Sequence, residues 1–234
     1  AGFVYVQGAG NILDPSSTST GATPNYFNDT GDNRLVHGWN ERQGVTLDRD
    51  VFVDVIRPGI YNHNNDLGYF NQHKIAAGTV VSSHLLFFDP KYQHSVEGVC
   101  FVFDQPIIGL IVSSDRFHDA GHNFTDYFVA SDFLGHPSTT YPTGHFENRG
   151  LELNNVDSFA FSVAGDRLYL NWGANSPGDQ IRVITAMPND DDDDDDPGPS
   201  SNPAPAPAGL LLALAGAATL GLGRLLRRAC SSAP

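Results

Sequence analysis

Between residues 45 and 184 the apolar side chains come in short runs. Segments 45–55, 78–88, 99–103, 107–112, 158–163, 168–172 and 181–184 are each of strand length and rich in Val, Ile, Phe or Tyr, with Gly, Pro, Asn and Asp between them. Alternation with period 2 is clearest in the fifth and sixth runs. Phe159, Phe161 and Val163 are predicted on one face of a strand, with Ser158, Ala160 and Ser162 on the other. After Ala164-Gly165-Asp166, Leu168, Leu170 and Trp172 alternate with Tyr169 and Asn171. Gly165 tolerates the positive φ of a tight turn, so the two runs are predicted to form a hairpin. No stretch before residue 188 keeps apolar residues at i, i+3, i+4 and i+7 for three turns, and helix is therefore the minor component. The pattern predicts an all-β fold, an antiparallel β-sandwich or jelly-roll-like ectodomain over residues 1–188. Stretches 14–44 and 114–150 lack the pattern and are predicted to be long irregular connections.

The pattern stops at Pro188. Seven consecutive Asp at 190–196 and alternating Pro as far as Pro207 predict an extended, disordered acidic linker over 189–207, because adjacent carboxylates repel and Pro breaks helix. Residues 208–223 carry no charge and end in Arg224-Leu225-Leu226-Arg227-Arg228. As a helix the uncharged run would be about 24 Å long, and about 28 Å with the two leucines included, just enough to cross a bilayer core. Segment 208–228 is thus predicted to be a single C-terminal hydrophobic helix in the inner membrane. Its arginines would stay cytoplasmic, with 229–234 a short cytoplasmic end and the linker and ectodomain outside. At the other end, Ala1 suits a mature terminus after leader removal, and a truncated chain would look the same.

Composition refines this picture. The chain has 234 residues, 27 acids, 13 bases and a net charge of −14, and residues 1–189 account for −10 of it. No dense cationic face exists to displace counterions, so nucleic acid is excluded as a partner. Hydrophobic residues make up 40% of the chain, including 15 Phe, 8 Tyr and 2 Trp, which suffices for a core. Cys100 falls in an apolar run and Cys230 near the end, a spacing that predicts no disulfide framework, with Cys100 a buried core residue.

The Pro203/Pro205/Pro207 spacing, the Leu/Ala/Gly run and the Arg224/Arg227/Arg228 cluster together resemble the PEP-CTERM sorting signal of Gram-negative bacteria. Pro-Ala-Pro stands here in place of Pro-Glu-Pro. The resemblance implies recognition and cleavage by an exosortase, in organisms that make exopolysaccharide or biofilm. Segments 44–47, 75–79, 103–109, 140–144, 149–153 and 179–185 are similar to ectodomains that precede such tails. That likeness implies delivery to the cell surface and supplies no catalytic residues.

Candidate chemistry in the body is sparse. His118, His122, His136 and His145 lie in 114–150 beside Asp115, Asp119, Asp126, Asp132 and Glu147, and His118 and His122 with Asp115 have the residue types of a metal site. Gly121 interrupts that pair, and the bland reading is a polar loop. Asp29 and Asp32 flank Gly31, with Asp48 and Asp50 nearby, a composition compatible with structural calcium; no other cofactor is expected. Glu41, Glu97, Glu147 and Glu152 are the body's glutamates, and no nucleophile elbow or phosphate loop accompanies them. Trp39, Tyr61, Tyr69, Phe70, Tyr92 and Tyr141 lie in or beside loop-like segments and could stack on sugars, whereas Trp172 is expected in the core. The expected function is a non-enzymatic surface or matrix component, structural or exopolysaccharide-interacting. The alternative is a secreted metal-dependent hydrolase using 114–150.

Overall fold

Thirteen strands and one short helix make up most of the described chain. The computed structural model describes residues 2–13, 34–67, 72–90, 92–112, 127–137, 139, 141, 150, 151, 153–174 and 178–187. The strands are β1 (Phe3–Gln7), β2 (Gly10–Leu13), β3 (Val36–Asn40), β4 (Val45–Thr46), β5 (Val51–Val53), β6 (Gly59–His63), β7 (His73–Ile75), β8 (Val80–Phe88), β9 (His94–Phe103), β10 (Ile107–Ile111), β11 (Asn154–Phe161), β12 (Arg167–Ala174) and β13 (Asp179–Ala186). Helix α1 (Tyr127–Ser131) and the 3-10 turns Asn64–Asp66 and Asp132–Leu134 are the helical part, so the fold is all-β.

Sheet A is five-stranded in the order β1-β9-β12-β11-β6, and sheet B runs β10-β13-β8-β3-β2 with β4 also on β8. Strands β5 and β7 form a separate pair. The two large sheets share one core. Sheet A contributes Val99, Phe101, Phe159, Phe161, Leu168, Leu170 and Trp172, and sheet B contributes Val36, Leu86, Phe88, Leu110, Ile181 and Val183. A second apolar cluster lies on the other side of sheet B, where Val81, Ile111 and Ile184 meet Val51 and Val53 of β5, Ile75 of β7, and Tyr127, Phe128 and Leu134 of the helical segment. Sheet B is therefore covered on both faces. This explains why nearly every position of β8 and β13 is buried, while β12 in sheet A alternates half-buried and buried along its length.

The hairpin expected around Gly165 is present. β11 pairs antiparallel with β12, with Phe159 opposite Leu170 and Phe161 opposite Leu168, and Gly165 has φ +78°. Phe159, Phe161, Leu168, Leu170 and Trp172 all point into the core. Val163 does not: it sits in the turn, 93% exposed, because pairing ends before it. Three further expectations are corrected. Segment 14–44 is not wholly irregular, since β3 lies inside it and pairs with β8 near the middle of sheet B. Run 45–55 is not one strand. After Leu47, whose N–H bonds Thr79 O at 3.0 Å, the exposed Asp48-Arg49 carries the chain off sheet B to pair with β7. Nor is sheet B purely antiparallel, because β2 runs parallel to β3. Linker 189–207 and segment 208–228 lie outside the described residues. Among those described, no helix is long and apolar enough to cross a membrane.

Gly178 enters β13 where the chain passes against the end of β8. A Cβ placed there would stand 2.3 Å from Phe88 O and 2.4 Å from Asp89 Cα, contacts with backbone that cannot swing away. Gly178→Ala is expected to lower stability by about 1–3 kcal/mol, whereas Gly59→Ala, whose Cβ would meet nothing nearer than 3.4 Å, should change it by less than about 0.5 kcal/mol. Urea-unfolding midpoints of the two variants check the contrast, and equal midpoints would contradict it.

Candidate functional site

The densest set of polar side chains on the described chain is buried between sheet B and the segment that covers it. Arg182 is the fourth residue of β13, and the alternation that points Ile181 and Val183 into the main core turns Arg182 the opposite way. There it meets Glu41, the residue after β3, and neither side chain has any solvent exposure. The pair is bidentate, Arg182 Nε donating to Glu41 Oε2 at 2.9 Å and Nη2 to Oε1 at 3.0 Å. Nη1 donates to Phe128 O at 3.0 Å and Ser131 Oγ at 2.6 Å, and Nη2 also to Asp132 Oδ1 at 3.1 Å. All five guanidinium N–H groups are thus engaged.

Glu41 is equally occupied. Tyr141 Oη donates to its Oε1 at 2.6 Å and Ser83 Oγ to its Oε2 at 2.5 Å. The Tyr141 ring lies 5.3 Å from the guanidinium carbon, and its hydroxyl accepts the His136 N–H at 2.9 Å. Local structure makes room for this ring at Gly135, where a Cβ would come within 2.4 Å of it. Burial presses Arg182 toward deprotonation, but the carboxylates of Glu41 and Asp132 outweigh it and raise its pKa. Burial first, and then the Glu41 charge, push the Tyr141 hydroxyl well above its usual range, so it stays a donor. A general base needs a lone pair that substrate can reach. Glu41 accepts two hydrogen bonds on each oxygen and is sealed from solvent, so this cluster works as a structural clasp.

A second, uncharged set lies on the inner face of sheet B. His84 Nδ1 is 2.7 Å from Asn40 Oδ1 and its Nε2 is 3.0 Å from Thr185 Oγ1. A neutral ring that donates from Nδ1 and accepts at Nε2 satisfies both contacts. Burial holds the His84 pKa down at about 3, so the ring is neutral at ordinary pH.

The residues singled out from the sequence are distributed differently. Asp29, Asp32, Asp115, His118 and His122 lie outside the described residues, as do Pro203, Pro205, Pro207, Arg224, Arg227 and Arg228. Asp48 is bound to Arg49 at 2.7 Å, and Asp50 to Lys74 at 2.5 Å and to the Ala77 N–H at 3.0 Å. Both carboxyl pKa values are lowered by these partners, which hold the oxygens that calcium would have used. No group of three metal-ligating side chains converges among the described residues. Trp39 is not a loop ring but a buried residue of β3 packed against Phe87, and Tyr141 belongs to the clasp. Tyr61 stacks on Phe159 at 4.8 Å, while Tyr92 stands 75% exposed. Tyr69 and Phe70 lie outside the described residues. Cys100 is buried beside Tyr5, Val102 and Tyr169, as its apolar run suggests. Its sulfur is nonetheless in a disulfide, contrary to the sequence expectation; the chain's other cysteine, Cys230, is outside the described residues.

Comparison of the chain with family models, with curated proteins and with solved structures gives no match.

Sequence reasoning named Glu41 and Tyr141 for other roles and missed the clasp as a unit. A signal for it existed: Arg182 is a charge placed between the apolar Ile181 and Val183. Its partner 141 positions away had no local mark. Arg182→Met is expected to cost about 3–5 kcal/mol, because it leaves Glu41 buried without its counter-charge, and the double variant with Glu41→Leu should recover most of that loss. Chemical denaturation of both variants tests this, and a double variant no more stable than the single one would contradict it.

Proposed function

We propose that this chain is an exported cell-surface or extracellular-matrix protein of a Gram-negative bacterium. Its β-sandwich ectodomain is structural or interacts with exopolysaccharide, and its tail is a PEP-CTERM-like sorting signal for an exosortase-type enzyme. The observation that carries this reading is the order of features at the end of the chain: acidic spacer, Pro203/Pro205/Pro207, an uncharged run of 16 residues, and Arg224/Arg227/Arg228. Physically, the spacer keeps the domain clear of the bilayer, the apolar run partitions into it, and the arginines hold the orientation.

Replacing Arg224, Arg227 and Arg228 by Ala, or deleting 203–207, is expected to abolish surface delivery and leave the full chain in the membrane or periplasmic fraction. Unchanged delivery of either variant would overturn the sorting reading. Cys230 offers a separate readout. A bond within the chain between Cys100 and Cys230 needs both on the domain's side of the membrane, whereas a spanning helix places Cys230 on the other side and cleavage removes it. Recovery of a Cys100–Cys230 peptide from surface protein under non-reducing conditions would sink the anchor and leave export standing.

A further inference from the structure

His84 sits where the N-terminal strands close over the sandwich. The half-buried Phe3 ring of β1 contacts it edge-on at 5.2 Å between ring centres, and Phe103 of β9 lies 5.1 Å away on the sheet A side. Phe3 and Phe103 pack on each other at 4.9 Å, so the three rings form one stack bridging the sheets. The polar contacts to His84 come from Asn40 of β3 and Thr185 of β13, both uncharged. Burial in this stack disfavours a second proton on the ring. Asp104 is engaged in the same region, accepting the Gly2 N–H at 2.7 Å.

The N-terminal strands lie at the edges of the two large sheets. β1 is an edge strand paired to β9 alone, and β2 is an edge strand paired to β3 alone. Both are only partly buried, in contrast to the central strands β8 and β13. Edge elements of this kind open at lower free energy than central ones.

We propose that His84 is an acid-sensitive latch, whose protonation releases the N-terminal strands β1 and β2 from the sandwich while the central strands stay paired. The sign follows from linkage. The closed state binds its proton only near pH 3, while an opened, hydrated imidazole binds it near 6.5, so opening takes up a proton throughout that window and is favoured as pH falls. Between pH 7 and pH 5 the opening equilibrium should increase about 25-fold, and about ninefold more between pH 5 and pH 4.

Hydrogen exchange of the full chain, read by mass spectrometry and corrected for the pH dependence of intrinsic exchange, tests this. Peptides covering 2–13 should lose protection about 25-fold on going from pH 7 to pH 5, while β12 and β13 keep theirs. His84→Gln, which retains an amide to bond Asn40 and Thr185, should remove that pH dependence. Constant protection of 2–13 in the wild type, or the same loss in His84→Gln, would overturn the latch. Should that variant not fold, imidazole NMR of the wild type decides. The His84 proton must be taken up together with the loss of protection, and opening with a still-neutral His84 would also overturn it.

Discussion

The Arg182–Glu41 pair is the constraint on which the arrangement around sheet B depends. Removing both charges from water is expensive, and a single ion contact does not offset that loss. Here the guanidinium is satisfied on all five donors and the carboxylate on both oxygens, so the desolvated groups have no unmet demand left. The donors and acceptors come from the residue after β3, from β8, β13, α1, the Asp132 turn and Tyr141, segments with no shared local sequence. Each must arrive in register for the charges to be matched, and misplacement of any one strands a buried charge. The clasp thereby ties the covering segment to sheet B with a directionality that apolar contact alone lacks.

That covering segment changes what sheet B is. A sandwich of two sheets would leave the outer face of each in water, with strands that alternate. Sheet A behaves this way along β12, whereas sheet B is the middle layer of three. Its strands must therefore place something unreactive to burial at every position. The polar residues Ser82, Ser83 and His84 sit within β8 because each has a partner: Ser83 in the clasp, His84 with Asn40 and Thr185, and Ser82 through its hydroxyl, which accepts the Gly44 N–H at 3.2 Å.

The two polar inclusions on opposite faces of sheet B follow different electrostatic logic. On the outer face the charge is kept, because opposite charges and directed hydrogen bonds compensate its burial. On the inner face there is no counter-charge among the aromatic rings, so His84 is held neutral and satisfied by uncharged partners. One inclusion holds Arg182 charged, and the other holds His84 neutral.

Period-2 alternation is a local property, and wherever one face of a strand is wet it was readable directly from the residues. The β11–β12 hairpin, the Gly165 turn and the burial of Phe159, Phe161, Leu168, Leu170 and Trp172 were all legible for that reason. So was the break in composition at Pro188. The sequence also carried the all-β class and the strand character of β8, β10 and β13. Tertiary structure alone decided the rest. β3, short and containing His37-Gly38, has no apolar rhythm of its own and is a strand because β8 supplies its hydrogen bonds. The parallel pairing of β2, the third layer over sheet B and the burial of Trp39 depend on contacts distant in sequence. Glu41 and Arg182 illustrate the reason most clearly: each residue is ordinary within its own segment, and their chemistry exists only once the sheet brings together positions 141 apart.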